Sequence, residues 1–301
     1  RTRPATPPPM AASWTGQSKG TPLGYRIFIL VMRTLGVRAA HGMLYLVVPW
    51  YVLTGRTSNR ALRGYFRRLR ATDPRIKGLS LAGSYRAFGR TIIDKVALRA
   101  GLEDRYTWAK TGRQHLVAML EAGQGGVLIS AHLGNWELAS HMLHDSPGKI
   151  SVVLQDGEDS HIREAIEGST SSARFGTIAL GNGIEHLFRI SDALREGQVL
   201  CMHGDRNMPG ARTRKALFLG EEAVFPAGPF ALAAAQRVPV CIAFVVGTGP
   251  MTYTFTCTER IPAGSGADVI FNRYVSELER AVKEHPLQWF NYYDFWQQGR
   301  T

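Results

Sequence analysis

Gly126-Val127-Leu128-Ile129-Ser130-Ala131-His132-Leu133-Gly134-Asn135-Trp136-Glu137 is the stretch on which the reading of this chain turns. Residues 126–130 are uncharged, carry β-branched side chains and leave a Gly125-Gly126 turn, which is how a buried strand begins. Leu138 to Leu143 then supports a helix. His132 therefore stands where a strand ends and a helix starts. On one continuous helix His132 and Glu137 would face apart, because neighbours on a helix face are three or four residues apart. With His132 outside the helix and Gly134 letting the chain bend, the Glu137 carboxylate can reach back to the imidazole. A His held in this way is a general base with its tautomer fixed. Unpaired N–H groups at the helix start, around Gly134 and Asn135, favour developing negative charge. A His and a Glu at this spacing also occur by chance, and a packing role for His132 stays open on these residues alone.

Outward from that stretch, strand and helix signals alternate. Strands are expected at 126–131, 150–155, 175–180, 198–202, 239–246 and 252–257. Helices are expected at 78–100, 111–122, 135–144, 160–168, 183–195, 227–236 and 268–284. The alternation implies an α/β fold: a largely parallel, mixed sheet covered by helices on both faces. Ligands of such sheets bind beyond the carboxyl ends of the strands, where His132 emerges. A second strand, Gln198 to Met202, runs into His203-Gly204-Asp205-Arg206. If the two strands are parallel, Asp205 and Arg206 reach the same edge as His132. Beyond that loop Arg212, Arg214 and Lys215 form a cationic cluster suited to phosphate, or a solvated rim.

The chain has 301 residues, 45% hydrophobic and 20% charged, with a net charge of +12. Those are globular values with an unusual basic excess, which seeks anionic partners. Cys201, Cys241 and Cys257 lie in apolar runs and read as reduced core residues. His141 and His144 lack the companions of a metal site, so no metal is expected. No nucleophile elbow, P-loop or nucleic-acid motif occurs.

Three segments are expected: a Pro-rich tail over 1–20, membrane-associating helices over 21–75 and an α/β domain over 76–301. No signal peptide is read at the start. Residues 25–32 and 41–54 are apolar but interrupted by Arg33, Arg38 and Pro49, so the expectation is helices lying in one leaflet, or one short inserted helix. Arg56, Arg60, Arg63, Arg67 and Arg70 then line one side of a helix with no acid among residues 56–70. Such a basic amphipathic helix suits an anionic membrane surface.

The His132-Leu133-Gly134-Asn135-Trp136-Glu137 wording resembles the His-x4-Asp/Glu signature of the lysophospholipid acyltransferase superfamily. Its closest likeness is to the branch of the bacterial lipid A late acyltransferases. Gly204-Asp205-Arg206, Phe218-Leu219-Gly220, Phe225-Pro226-Ala227-Gly228-Pro229 and Pro286 to Trp296 follow in that branch's order. Trp14-Thr15-Gly16 and the closing segment look most like predicted acyltransferases of aryl-polyene or unusual-lipid pathways. The block at 225–229 lacks the acid of the superfamily's Phe-Pro-Glu-Gly.

The resemblance implies a glycerolipid acyltransferase-like fold and transfer of an acyl group from an acyl carrier protein or coenzyme A thioester. The acceptor would be a hydroxyl or amine of a membrane lipid, and the place the cytoplasmic face of a bacterial inner membrane. No cofactor beyond the thioester co-substrate is expected. The expected catalytic pair is His132 and Glu137; Gly134, Asn135, Asp205, Arg206 and Arg214 are expected to bind substrate. A hydrolase on the same site and a non-catalytic membrane-binding protein are the two other classes considered.

Overall fold

The computed structural model describes residues 30–32, 34–143, 145–155, 175–180, 184–207 and 210–296. Seven strands form one sheet in the order β1 (Thr107–Thr111), β9 (Thr252–Cys257), β8 (Val240–Gly249), β2 (Gly126–Ser130), β5 (Val199–His203), β3 (Ile150–Gln155) and β4 (Phe175–Leu180). Every neighbouring pair is parallel except β8 with β9. β2 is buried along its whole length, and its residues alternate between two cores: Val127 and Ile129 on one face, Leu128 on the other. β8 does the same with Ile242, Phe244 and Val246 against Cys241, Ala243 and Val245. A sheet apolar on both faces needs helices on both, the condition of parallel α/β architecture.

All six expected strands form, within a few residues of the expected bounds. β1 escaped the sequence reading because Thr-Trp-Ala-Lys-Thr is an exposed edge strand with almost no apolar pattern. A separate hairpin, β6 (Thr213–Phe218) with β7 (Glu221–Pro226), was missed as well. Its turn residues Leu219 and Gly220 both have positive φ, the geometry of a two-residue turn that matches strand twist. The helix expected at 160–168 and the tail over 1–20 lie outside the described residues.

Helices α1 (Val37–Thr54), α2 (Arg56–Thr72) and α3 (Leu81–Arg99) precede the sheet. α2 shows the stripe that its sequence implied: Arg56, Arg60, Arg63, Arg67 and Arg70 are all exposed. Its apolar side, Leu62, Tyr65, Phe66 and Leu69, enters the same core as Trp289 and Phe218. Burying side chains of this size stabilises by about 1.5–3 kcal/mol each, so that face is committed to protein rather than lipid. α1 differs. It buries Val37, Ala40, Leu44 and Val48, packs along α3, and leaves Tyr45, Leu46, Trp50 and Leu53 between 61% and 81% exposed. Among the described residues no helix is long and apolar enough to cross a membrane. The remaining helices are α4 (Arg113–Glu121), the short α5 (Ala139–Met142), α6 (Glu185–Arg195), α7 (Gly228–Gln236) and α8 (Ala267–Glu284).

Candidate active site

β2 and β5 pair in parallel register, Ser130 opposite His203, so the loops that leave them start from one sheet edge. The edge is tied twice at Ser130, whose carbonyl accepts the Gly204 N–H and the Tyr274 hydroxyl, each at 3.0 Å. His132 and Asp205 meet immediately beyond. His132 Nδ1 lies 2.8 Å from Asp205 Oδ1, and the His132 backbone N–H donates to Oδ2 at 3.0 Å. The expectation that Asp205 reaches the edge of His132 therefore holds.

The carboxylate that meets the imidazole is Asp205, where Glu137 was expected. Glu137 falls on a single 3-10 turn, Trp136–Leu138, and pairs with Lys95 of α3. The physical reason lies in the loop. Leu133 bridges to Trp289, the Gly134 N–H donates to the Gln288 carbonyl at 2.9 Å, and the Asn135 N–H donates to the Val245 carbonyl at 2.7 Å. This path carries Glu137 to α3. It also engages both backbone N–H groups expected as oxyanion donors, at Gly134 and Asn135, and one N–H of the Asn135 amide donates to the Thr91 carbonyl at 3.0 Å. Gly134 earns its place by close approach: φ is 69°, and a Cβ would come within 2.0 Å of the Val245 oxygen. No other residue type fits there.

Asp205 is wholly buried and its Oδ2 is surrounded by donors. Besides the His132 N–H it accepts from Trp289 Nε1 at 3.0 Å and Asn291 Nδ2 at 3.3 Å. Burial pushes its pKa up, but the His132 charge and hydrogen bond, with His203 and Arg206 nearby, outweigh that and hold the carboxyl well below its ordinary range. An ionised Asp205 can only accept, so Nδ1 carries the proton and Nε2 is the basic nitrogen of His132.

The closing segment, which entered the sequence analysis only through its resemblance, lies at the site. Trp289 and Asn291 in fact line Asp205, and the Phe290 N–H donates to the His132 carbonyl at 2.9 Å. An Asn between two aromatic pairs after a helix was the available signal. His203, not among the expected site residues, packs its ring 4.3 Å from that of His132 and 4.8 Å from Trp136, centroid to centroid. Burial first, then the charge that His132 carries once protonated, lowers its pKa, so it stays neutral beside the base.

Arg206 stays at the edge, with Nε to Asn291 Oδ1 at 3.3 Å and a terminal N–H to the Phe290 carbonyl at 3.4 Å. Arg214 goes elsewhere. It pairs with Asp268 and lies 5.0 Å over the Phe271 ring, stapling the hairpin to α8 rather than facing His132. A mostly apolar cavity of about 40 Å³ opens under the loop between Trp136, Leu138, Leu143, Ile150, Phe175 and Cys201. Among the described residues no three His, Cys, Asp or Glu side chains are grouped to hold a metal.

The model of the family described as bacterial lipid A biosynthesis acyltransferase matches residues 81–298. A phosphatidylinositol mannoside acyltransferase of Mycobacterium tuberculosis is 32% identical over 124 residues, 40% of this chain and 39% of that protein. One of the same description from Mycolicibacterium smegmatis is 28% identical over 123 residues, again 40% of this chain and 39% of its own. The match thus spans about two-fifths of the length of these curated relatives.

Proposed function

The chain belongs to the bacterial lipid A biosynthesis acyltransferase family, and from that premise we propose that it moves a fatty acyl group from an acyl thioester to a hydroxyl or amine of a lipid or glycolipid. The observation that carries the reading is the His132–Asp205 pair at the strand edge. His132 Nε2 takes the proton of the acceptor as its oxygen or nitrogen attacks the thioester carbonyl. Asp205 fixes the tautomer and balances the imidazolium that forms. The tetrahedral intermediate then expels the thiolate, which takes the proton back from His132. Arg206, next to Asp205, supplies positive charge toward the developing oxyanion, the duty that Gly134 and Asn135 are too engaged to perform.

The donor is an acyl carrier protein or coenzyme A thioester, attracted by the basic surface. The exposed apolar side of α1 leads into the Arg stripe of α2, which supports peripheral attachment to an anionic membrane, on its cytoplasmic face. The relatives named as phosphatidylinositol mannoside acyltransferases favour an anionic glycolipid as acceptor.

The test supplies the full chain with a radiolabelled acyl thioester and candidate lipids, and measures acylated lipid against free acid. Acylated lipid that disappears in His132→Ala is expected. Label found only in free acid would make the protein a hydrolase. Lipid modification that survives His132→Ala would remove the base from the mechanism.

A further inference from the structure

The Lys95–Glu137 ion pair has no task in the chemistry above, yet it joins the catalytic loop to a helix. α3 holds that loop at two points. The Thr91 carbonyl accepts the Asn135 amide at 3.0 Å, and Lys95 pairs with Glu137. Residues four apart share one face of a helix, so both grips come from the same side of α3. The Lys95 and Glu137 side chains are only 22% and 19% exposed, which spares the pair most of the screening that weakens surface ion pairs.

α3 is itself firmly seated. Asp94 is buried and accepts the hydroxyls of Tyr106 at 2.7 Å and Tyr253 at 2.5 Å, while His41 Nε2 of α1 lies 2.7 Å away. Beside Glu137, Trp136 packs on His203, and His203 packs on His132. A shift of the 3-10 turn would therefore reach the imidazole through two ring contacts.

We propose that Lys95 is a positioning residue for acyl transfer and that Glu137 acts through it, bracing the His132 loop against α3 instead of touching the reacting atoms. This rests on the acyltransferase reading above. Lys95 is conspicuous as the brace because its partner is the acidic residue of the His-x4-Glu signature itself.

The experiment uses the full chain with Lys95→Met, Glu137→Gln, the two combined, the reciprocal Lys95→Glu/Glu137→Lys, and Lys95→Arg. Each of the first two should lower kcat by about 100-fold, the cost of roughly 1 Å of misplacement, with donor KM and the acid limb of the pH profile unchanged. The combined variant should fall no further than either single one. The reciprocal variant should recover most of the loss, and Lys95→Arg should stay close to wild type.

Carbethoxylation of His132 by diethyl pyrocarbonate, read by peptide mass spectrometry, reports the loop without turnover. Its rate should change in both single variants and return in the reciprocal one. Glu137→Gln inactive beside an active Lys95→Met, multiplicative losses in the combined variant, or His132 labelling unmoved in Lys95→Met would each overturn the brace. If the wild type transfers no acyl group while labelling still follows the pair, the acyltransferase reading falls and the brace stands.

Discussion

His132–Asp205 and His41–Asp94 are nearly the same contact, 2.8 Å and 2.7 Å, in two regions of one chain. Their surroundings differ in kind. Asp94 spends its remaining capacity on the hydroxyls of Tyr106 and Tyr253, and the cluster lies between α1, α3 and the β9 side of the sheet. Asp205 is enclosed by N–H donors from the catalytic loop and the closing segment, and its histidine stands at the end of a strand. A carboxylate beside an imidazole therefore does not define a base. What separates the two is the ring nitrogen that meets the carboxylate: His41 meets Asp94 through Nε2, whereas His132 meets Asp205 through Nδ1.

The largest expected effect tests that difference directly. His132→Ala should lower kcat by about 10³-fold, within the range for a positioned general base, and Asp205→Asn by about 10²-fold or more through loss of the tautomer lock. Asp205 stays ionised far into acid, so its removal should change the height of the rate profile. His41→Ala is the contrasting case. It removes one of three partners of the buried Asp94 side chain, and the expected loss is about 1–3 kcal/mol of stability, read as a lower urea midpoint. Turnover per folded molecule should stay close to wild type. If His41→Ala instead abolished turnover in folded protein, the two pairs would not be separable as proposed.

A smaller effect probes the shell around Asp205. Trp289→Phe keeps an aromatic ring among Tyr65, Phe218 and Phe295 but removes one of three N–H donors to Oδ2. Hydrogen bonds to charged groups contribute about 1.5–3 kcal/mol, so kcat should fall by roughly 10-fold or somewhat more. An unchanged kcat would leave Trp289 as packing only.

The periodicity of 126–131 and 239–246 made the sheet legible, because a parallel sheet buries both faces and its strands read as continuous apolar runs. The same rule hid β1, which lies at the edge. At the site, His132, Asp205 and Arg206 were legible because strand-to-loop junctions mark the functional edge. The partner of His132 was not. Sequence proximity favoured Glu137, but the fold brought in Asp205 through the parallel pairing of β2 and β5, and Lys95 from a helix far upstream drew Glu137 away. Arg214 looked like a phosphate ligand because Asp268 is distant in sequence, and only the packing of the hairpin on α8 shows them paired. Long-range charge partners carry no local signature.

The smallest expected effect concerns His203, the neighbour that distinguishes the His132 region from the His41 cluster. Its pKa is held below the ordinary value, first by burial, then by the positive charges of His132 and Arg206, with Asp205 pulling the other way. The unfolded chain takes up a proton on this residue near pH 6.5, and the folded chain refuses it there. Fewer protons bound in the folded state mean that its stability contribution is present above about pH 6.5 and declines below it, by at most ~1.4 kcal/mol per pH unit for one proton. Asp205 adds little slope in that window, because the unfolded chain protonates it only near pH 4 and its linked loss lies below that. His285, lowered by burial as well, pulls the same way as His203. The share of His203 is therefore the difference between wild type and His203→Phe in urea midpoint from pH 7 to pH 5. A shallower slope in the variant is expected; equal slopes would mean that His203 accepts its proton in the folded protein, and that the imidazole beside the base is not kept neutral.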